Sequence, residues 1–161
     1  MRDDRFKAAH RGGSLDLHGH HLLATWAADC AEHVLPLFSE QHPQDDRPRR
    51  AIETARAWVR GQVTVGEARA ASLEAHAAAR NATDAAARAA ARSAGQAVGT
   101  AHMADHAPHA AAYAVQAVRA AGIGRDDLTA ADRERTWQEE RLPGEIRALV
   151  LSAGERGSAS D

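Results

Sequence analysis

Apolar residues recur with helical spacing from about Ser14 onward. Their separations of one, three and four positions place them on one face of an α-helix. Pro36 lies in the last turn of this pattern and predicts an end or a kink there, because proline lacks a backbone N–H. The residues of this apolar stripe are Leu22, Leu23, Trp26, Cys30, Val34 and Leu37.

Capping residues, prolines and glycines divide the rest of the chain into further helices. Thr64 and Glu67 have the spacing of a capping box, and Gly95 and Gly99 allow a neighbour to approach closely. Pro108 breaks a long alanine-rich pattern and predicts a kink or a restart. Other helix starts are predicted at Asp46 with Pro48, at Thr83 or Asp84, at Thr129 and at Pro143. The predicted fold class is all-α, a compact bundle of about five to seven helices, one of them kinked or interrupted near Pro108.

The two ends of the chain differ from this helical part. Residues 1–13 are polar and finish in two glycines, which predicts a flexible N-terminal arm. Residues 153–161 are small and polar, which predicts a disordered tail. A single helical domain over residues 14–152 lies between them.

Composition narrows the class of protein. Alanine makes up about a quarter of the chain and aromatic residues 4%, which argues strongly against a fold built on sheets. The net charge of −2 gives no general attraction for nucleic acid or anionic lipid. No apolar run reaches the roughly 18 residues of a membrane span, and the start lacks the apolar run of a signal peptide, so a cytoplasmic location is expected. The alanine-rich faces could bury against a second copy as easily as within one chain, so a homo-oligomer stays open.

The ten histidines are the compositional anomaly. His102, His106, His109 and Tyr113 are spaced by four, three and four residues, which would form one stripe on an unbroken helix. Such a stripe is typical of a metal site, of a ligand pocket or of a solvated polar face. A metal would need a third ligand from elsewhere, and the candidates are Asp29, His33 and His76. The spacing of these residues does not indicate which metal or cofactor would bind.

Asp29 and His33 lie one turn apart beside the apolar stripe. They are interpreted either as a structural ion pair or as an oriented acid–base pair.

A dense charged segment precedes and enters the second long helix. It is either a solvated face or a docking surface for an acidic ligand or a partner protein, because arginine is a frequent anchor at interfaces. Trp58 is predicted to be an exposed aromatic anchor beside it. The charged candidates are Arg47, Arg49, Glu53 and Arg56.

Several segments resemble a known family. They are residues 11–15, 21–24, 26–36, 46–49, 51–53, 56–58, 75–80, 100–102, His106 and 111–114. In their order they are similar to the bacterial putative immunity proteins, helical single-domain proteins common in actinobacteria, over about residues 11–150. Pro108 departs from the family's pattern. The resemblance implies that the protein binds and neutralises a toxin domain. The family's recurring polar positions correspond here to Asp29, His33, Arg47, Glu53, Arg56, His76, His102 and His106.

The sequence is compatible with two functions of different classes, a binding protein and an enzyme or small-molecule binder. The first is an immunity-type protein that binds a partner toxin, and the resemblance along nearly the whole chain favours it. The second is a small helical enzyme or small-molecule binder, with or without a metal, whose pocket lies inside the bundle. There His102 and His106 would act as base or ligand beside the Asp29–His33 pair. Whether the chain is an enzyme stays open.

Overall fold

Eight α-helices make up most of the chain in the computed structural model, which describes residues 2–122 and 127–158. They are α1 (Leu17–Val34), α2 (Pro36–Ser39), α3 (Arg47–Val59), α4 (Val65–Asn81), α5 (Ala85–Gly99), α6 (His106–Ala121), α7 (Asp127–Glu140) and α8 (Gly144–Ser158). The described residues contain no strand, which confirms the all-α class. The count of five to seven is too low, because Pro36 opens a separate four-residue helix and the alanine-rich pattern is divided into two helices, α5 and α6.

Local capping chemistry accounts for the helix starts. The capping box at α4 is present in both directions, since Thr64 accepts from the Glu67 N–H and Glu67 accepts from the Thr64 N–H. Of the two candidates before α5, Asp84 is the cap, and its carboxylate accepts from the Ala87 N–H at 2.8 Å. Asp46 precedes α3 but makes no capping bond.

The predicted interruption near Pro108 is a restart. Helix α5 ends at Gly99, and α6 begins at His106, so Pro108 lies in the first turn of α6. The N–H groups of a first turn have no partner within the helix, so a proline there removes no hydrogen bond. The pattern therefore continues as a new helix rather than as a kinked one.

Helix α7 begins at Asp127, slightly before the predicted start at Thr129. Helix α8 begins directly after Pro143, as predicted, and continues to Ser158, well into the segment predicted as a disordered tail. Residues 159–161 lie outside the described residues.

The N-terminal segment folds onto the bundle, whereas the sequence predicts a flexible arm. It forms two 3-10 turns, Asp4–Phe6 and Ala9–Arg11, and Phe6 is only 5% exposed. A Cβ at Gly13 would lie 2.0 Å from the Lys7 carbonyl oxygen, so only glycine fits this return of the chain. Burial of the Phe6 side chain in the hydrophobic core holds this segment against the bundle, although the segment is polar in overall composition.

Helix α5 is the centre of the bundle and packs against α1, α2, α3, α4 and α6. Eleven of its 15 residues are buried and seven of these are alanines, so it has hardly any solvent-facing side. The predicted close approach occurs at Gly95, where an added Cβ would lie 2.7 Å from Nε2 of His76 on α4. No helix in the described residues is long and apolar enough to cross a membrane.

Candidate functional site

A shallow cleft of about 400 Å³ opens where the second half of α1 faces the end of α7. Asp29, Glu32 and His33 of α1 line one side, because residues three and four apart share a helix face. Trp137 and Arg141 line the other. We refer to this site as the α1–α7 cleft.

Three side chains form a stack in this cleft. The His33 ring lies parallel to the Trp137 ring, with centroids 3.7 Å apart and an angle of 4° between the planes. The Arg141 guanidinium carbon lies 3.9 Å from the centroid of Trp137. Two groups this close to one ring must occupy opposite faces, so Trp137 is held between a histidine and an arginine. Such contacts restrict the motion of all three side chains.

Glu134 orients the His33 ring through contacts with its Nδ1 atom. Its carboxyl group is buried at 4% exposure, and Oε2 and Oε1 lie 2.9 and 3.1 Å from Nδ1 of His33. A carboxylate can only accept, so the proton on Nδ1 is donated to Glu134 and the second ring nitrogen, Nε2, takes no part in this pair. The His33 side chain is 40% exposed and lines the cleft, so Nε2 is available to a ligand or partner.

Arg56 of α3 ties the acidic rim of the cleft together. Its Nη2 donates to Asp29 Oδ1 at 2.8 Å and also contacts Glu32 Oε2. Burial lowers the pKa of this guanidinium, but hydrogen bonds to Glu32 and Asp29 more than offset it and raise the pKa above its ordinary value. Asp29 and His33 do not pair with each other as the sequence predicts, because Asp29 bonds to Arg56 and His33 to Glu134.

The charged segment of α3 is neutralised within the chain. The Arg47 guanidinium makes two hydrogen bonds to Asp45, and these side-chain hydrogen bonds hold the pKa of the Asp45 carboxyl below its ordinary value. Arg49 pairs with Glu53 at 3.5 Å on the exposed surface. Each of the four arginines between residues 47 and 59 thus has an acidic partner, so this face is not an open cationic surface.

Trp58 was predicted to be exposed, but it is half-buried. Its ring contacts those of His20 and His21, at centroid distances of 4.7 and 5.0 Å. It therefore covers the start of α1 and is not an open anchor.

The histidine stripe is divided by the break between α5 and α6. His102 lies in the connecting turn, and only His106, His109 and Tyr113 follow one another on α6. His106 Nδ1 donates to Gln96 Oε1 at 2.6 Å, while His109 is exposed. The helix is therefore broken between His102 and His106, and the single stripe expected on an unbroken helix does not include His102.

The two predicted halves of the internal pocket lie far apart. His102 lines a cavity near the N-terminal segment together with His20. His33 follows His20 by 13 positions on the same helix, which is about 20 Å along the axis. The Asp29–His33 and His102–His106 pairs thus belong to different regions.

No group of three metal-binding side chains exists among the described residues. His76 is half-buried against Gly95, and burial, followed by the charges of Arg92 and His106, lowers its pKa. Burial also lowers the pKa of His106 and of His102. These rings are neutral at physiological pH, but they lie apart from Asp29 and His33, the other candidate ligands.

Sequence reasoning missed the α7 side of the cleft. Glu134, Trp137 and Gln138 are spaced by three and one, so they share one face of α7, and Arg141 follows directly after the last residue of this helix. The signal was a polar helix face with a tryptophan at its centre. Trp26 of α1 fixes this face from within, since its indole N–H donates to the Gln138 carbonyl at 2.9 Å.

Comparison with known proteins identifies the family. The family described as Imm-5 like putative immunity protein matches residues 13–145, more than four-fifths of the chain. No curated protein and no solved structure matches. The match includes most of the bundle and all five residues that line the α1–α7 cleft. The chain therefore belongs to the Imm-5 like putative immunity protein family.

Proposed function

We propose that this protein is an immunity-type protein that binds a partner toxin and neutralises it, with the α1–α7 cleft as the docking site. Membership of the family supports the general role. The observation that carries the choice of surface is the ordered stack of His33, Trp137 and Arg141 at an open cleft.

Interface energetics favour this surface over the charged face of α3. Tryptophan and arginine are the residues most enriched among interface hot spots, and a side chain already fixed loses less entropy when the partner binds. Trp137 is fixed on both faces, whereas the arginines of α3 would have to give up their own acidic partners to reach a toxin.

The charges of the cleft indicate the chemistry of the partner group. Asp29, Glu32 and Glu134 contribute three carboxyl groups, against the guanidinium groups of Arg56 and Arg141. The carboxyl groups outnumber the guanidinium groups. A lysine or arginine of the toxin would balance this excess and donate hydrogen bonds to the carboxylates.

The cytoplasmic location and the actinobacterial origin expected from the sequence belong to the same proposal. The mass of the toxin complex would also reveal whether the protein acts alone or as a homo-oligomer.

The test pairs the protein with candidate toxin domains encoded near its gene. Growth rescue on co-expression identifies the cognate toxin, and calorimetry with purified components then measures affinity. Trp137→Ala should weaken binding at least about thirtyfold, the size of an interface hot spot, and abolish rescue. The helical circular dichroism spectrum should be unchanged, because Trp137 is only half-buried.

Leu73→Ala is the matched control. Leu73 is an apolar side chain on α4 with 71% exposure, so its truncation also removes a large exposed group but leaves the cleft intact. Normal rescue by Trp137→Ala, or equal loss in both variants, would contradict the docking site. Failure to bind or neutralise any candidate toxin would contradict the immunity role itself.

The alternative function is a small helical enzyme or small-molecule binder that uses the same cleft. The buried Glu134 behind His33 is an arrangement that also orients a general base, and this observation favours the alternative. It replaces the predicted pocket of Asp29, His33, His102 and His106. In that case the purified protein alone would bind or convert a small molecule and His33→Gln would abolish this, whereas co-expression would rescue growth from none of the candidate toxins.

A further inference from the structure

A second open groove crosses the outer side of α6 and reaches α5 and α7. Its volume is about 520 Å³, the largest among the cavities described. Its polar lining residues are Gln96, His109, Tyr113, Gln116, Arg119 and Arg135, and alanine and valine complete it. The α1–α7 cleft shares none of these residues, although α7 contributes to both sites.

The charged side chains of this α6 groove are of one sign. Arg119 and Arg135 line it, and no aspartate or glutamate does among the side chains that the structure describes. Arg135 forms an ion pair with Asp132 at 3.0 Å, so its positive charge is partly neutralised within the chain. Arg119 is exposed and has no acidic partner within 4 Å among the described side chains, which are those of residues 2–122 and 129–154. It is therefore the cation left to interact with a partner.

The uncharged lining groups also favour an acceptor. The Oε1 atom of Gln96 is occupied by the N–H of His106, which turns the donor side of this amide toward other partners. Tyr113 carries a hydroxyl group, and the Arg92 guanidinium lies 6.0 Å from the centroid of its ring. Amide, phenol and guanidinium donors in one groove match the lone pairs of carboxylates.

We propose that the α6 groove binds a short acidic segment of a partner protein, with Arg119 as the main contact for its carboxylates. The groove is open and extends over three helices, whereas small-molecule sites enclose most of the surface of their ligand. An extended run of carboxylates fits this length and this donor set. The inference does not rest on the proposed toxin site, because it involves different residues and the opposite charge.

Fluorescein-labelled hexaglutamate, titrated with the full-length protein and followed by anisotropy, is the direct test. Binding is expected at low ionic strength and should weaken as salt is added, because exposed charges are screened. Arg119→Glu should weaken binding about tenfold, since it turns the attraction into repulsion. Arg119→Gln should give a smaller loss and serves if the charge reversal disturbs folding.

Arg60→Glu is the matched control, because it changes the net charge equally at an exposed position that does not line the groove. It should leave the affinity within about twofold, the effect of a distant surface charge. Equal losses in Arg60→Glu and Arg119→Glu would overturn the proposal, since the peptide would then sense only net charge. Absence of binding at low salt, or displacement of the peptide by equimolar succinate, would overturn it as well.

Discussion

Helices α5 and α7 solve the same packing problem in opposite ways. Helix α5 is surrounded on almost every side, and small residues occupy nearly all of its buried positions. Helix α7 packs chiefly against α6 and buries Glu134 and Gln138 with only one alanine described as buried. The small side chains of α5 allow the neighbouring helices to approach its backbone closely. The buried polar side chains of α7 instead form hydrogen bonds with the residues packed against them.

The difference separates stability from chemistry. Alanine contacts bring backbones together without leaving a group that could recognise anything. Each polar group buried at α7 needs a partner, and no side-chain nitrogen or oxygen buried in the described residues lacks one. The hydrogen bonds that fulfil this need also fix the side chains that face the cleft.

Substitution of Trp26 or Trp137 by alanine is expected to give the largest effects, on stability and on toxin binding respectively. Trp26 is 3% exposed and joins α1 to α7, so Trp26→Ala should lower the free energy of unfolding by about 3–5 kcal/mol. Trp137→Ala should cost far less stability, since Trp137 is half-buried, yet it should remove toxin binding. Urea unfolding of both variants measures the first effect. Similar losses of stability would show that the stack is mainly structural.

Overpacking tests the alanine region and comes next in size. Ala94 on α5 has no exposed surface, so Ala94→Leu should destabilise the protein by about 1–3 kcal/mol. Ala70 lies exposed on α4, and Ala70→Leu should change stability by less than about 0.5 kcal/mol. Thermal melts of the pair give the comparison. A well-tolerated leucine at position 94 would mean that α5 can shift, contrary to the close packing described.

Acid should produce the smallest effect. Burial lowers the pKa of His20, His76 and His106 below the ordinary value of 6.5. The unfolded chain therefore binds more protons below about pH 6.5, so the free energy of unfolding falls as the pH drops from there toward the lowered native pKa values. The urea midpoint should be nearly constant above pH 7 and decrease between about pH 6.5 and 5.

The variant His76→Gln separates one ring from the rest. It cannot titrate, so the decrease of the urea midpoint over the same pH range should be shallower than in the wild type. An unchanged slope would mean that the His76 ring moves to solvent and is protonated without cost in the native protein.

Much of the fold could be predicted because its signals are local. The capping box at Thr64 and Glu67 and the close approach at Gly95 are properties of short segments, and the structure confirms both. The N-terminal segment was harder, since the burial of Phe6 depends on a surface formed by distant helices. The break before α6 was located only approximately, because Pro108 is compatible with the first turn of a helix.

The candidate site was predicted in part. Asp29 and His33 were recognised from their position on α1, but their partners were not. A pair one turn apart on a helix is the nearest choice that a sequence offers. Arg56 and Glu134 lie 27 and 101 positions away along the chain, and only packing brings them within hydrogen-bond distance.

The helical class, the starts of several helices and the faces that carry polar groups follow from the order of the residues, since these properties depend on neighbours within one or two turns. The contacts of His33 with Glu134 and Trp137, and of Asp29 with Arg56, arise from the packing of the helices, as does the separation of these contacts from the histidines of α6. The reason is that side-chain partners are chosen by distance in space after the helices have packed, and a polar group within reach of several partners bonds to the one that packing holds nearest.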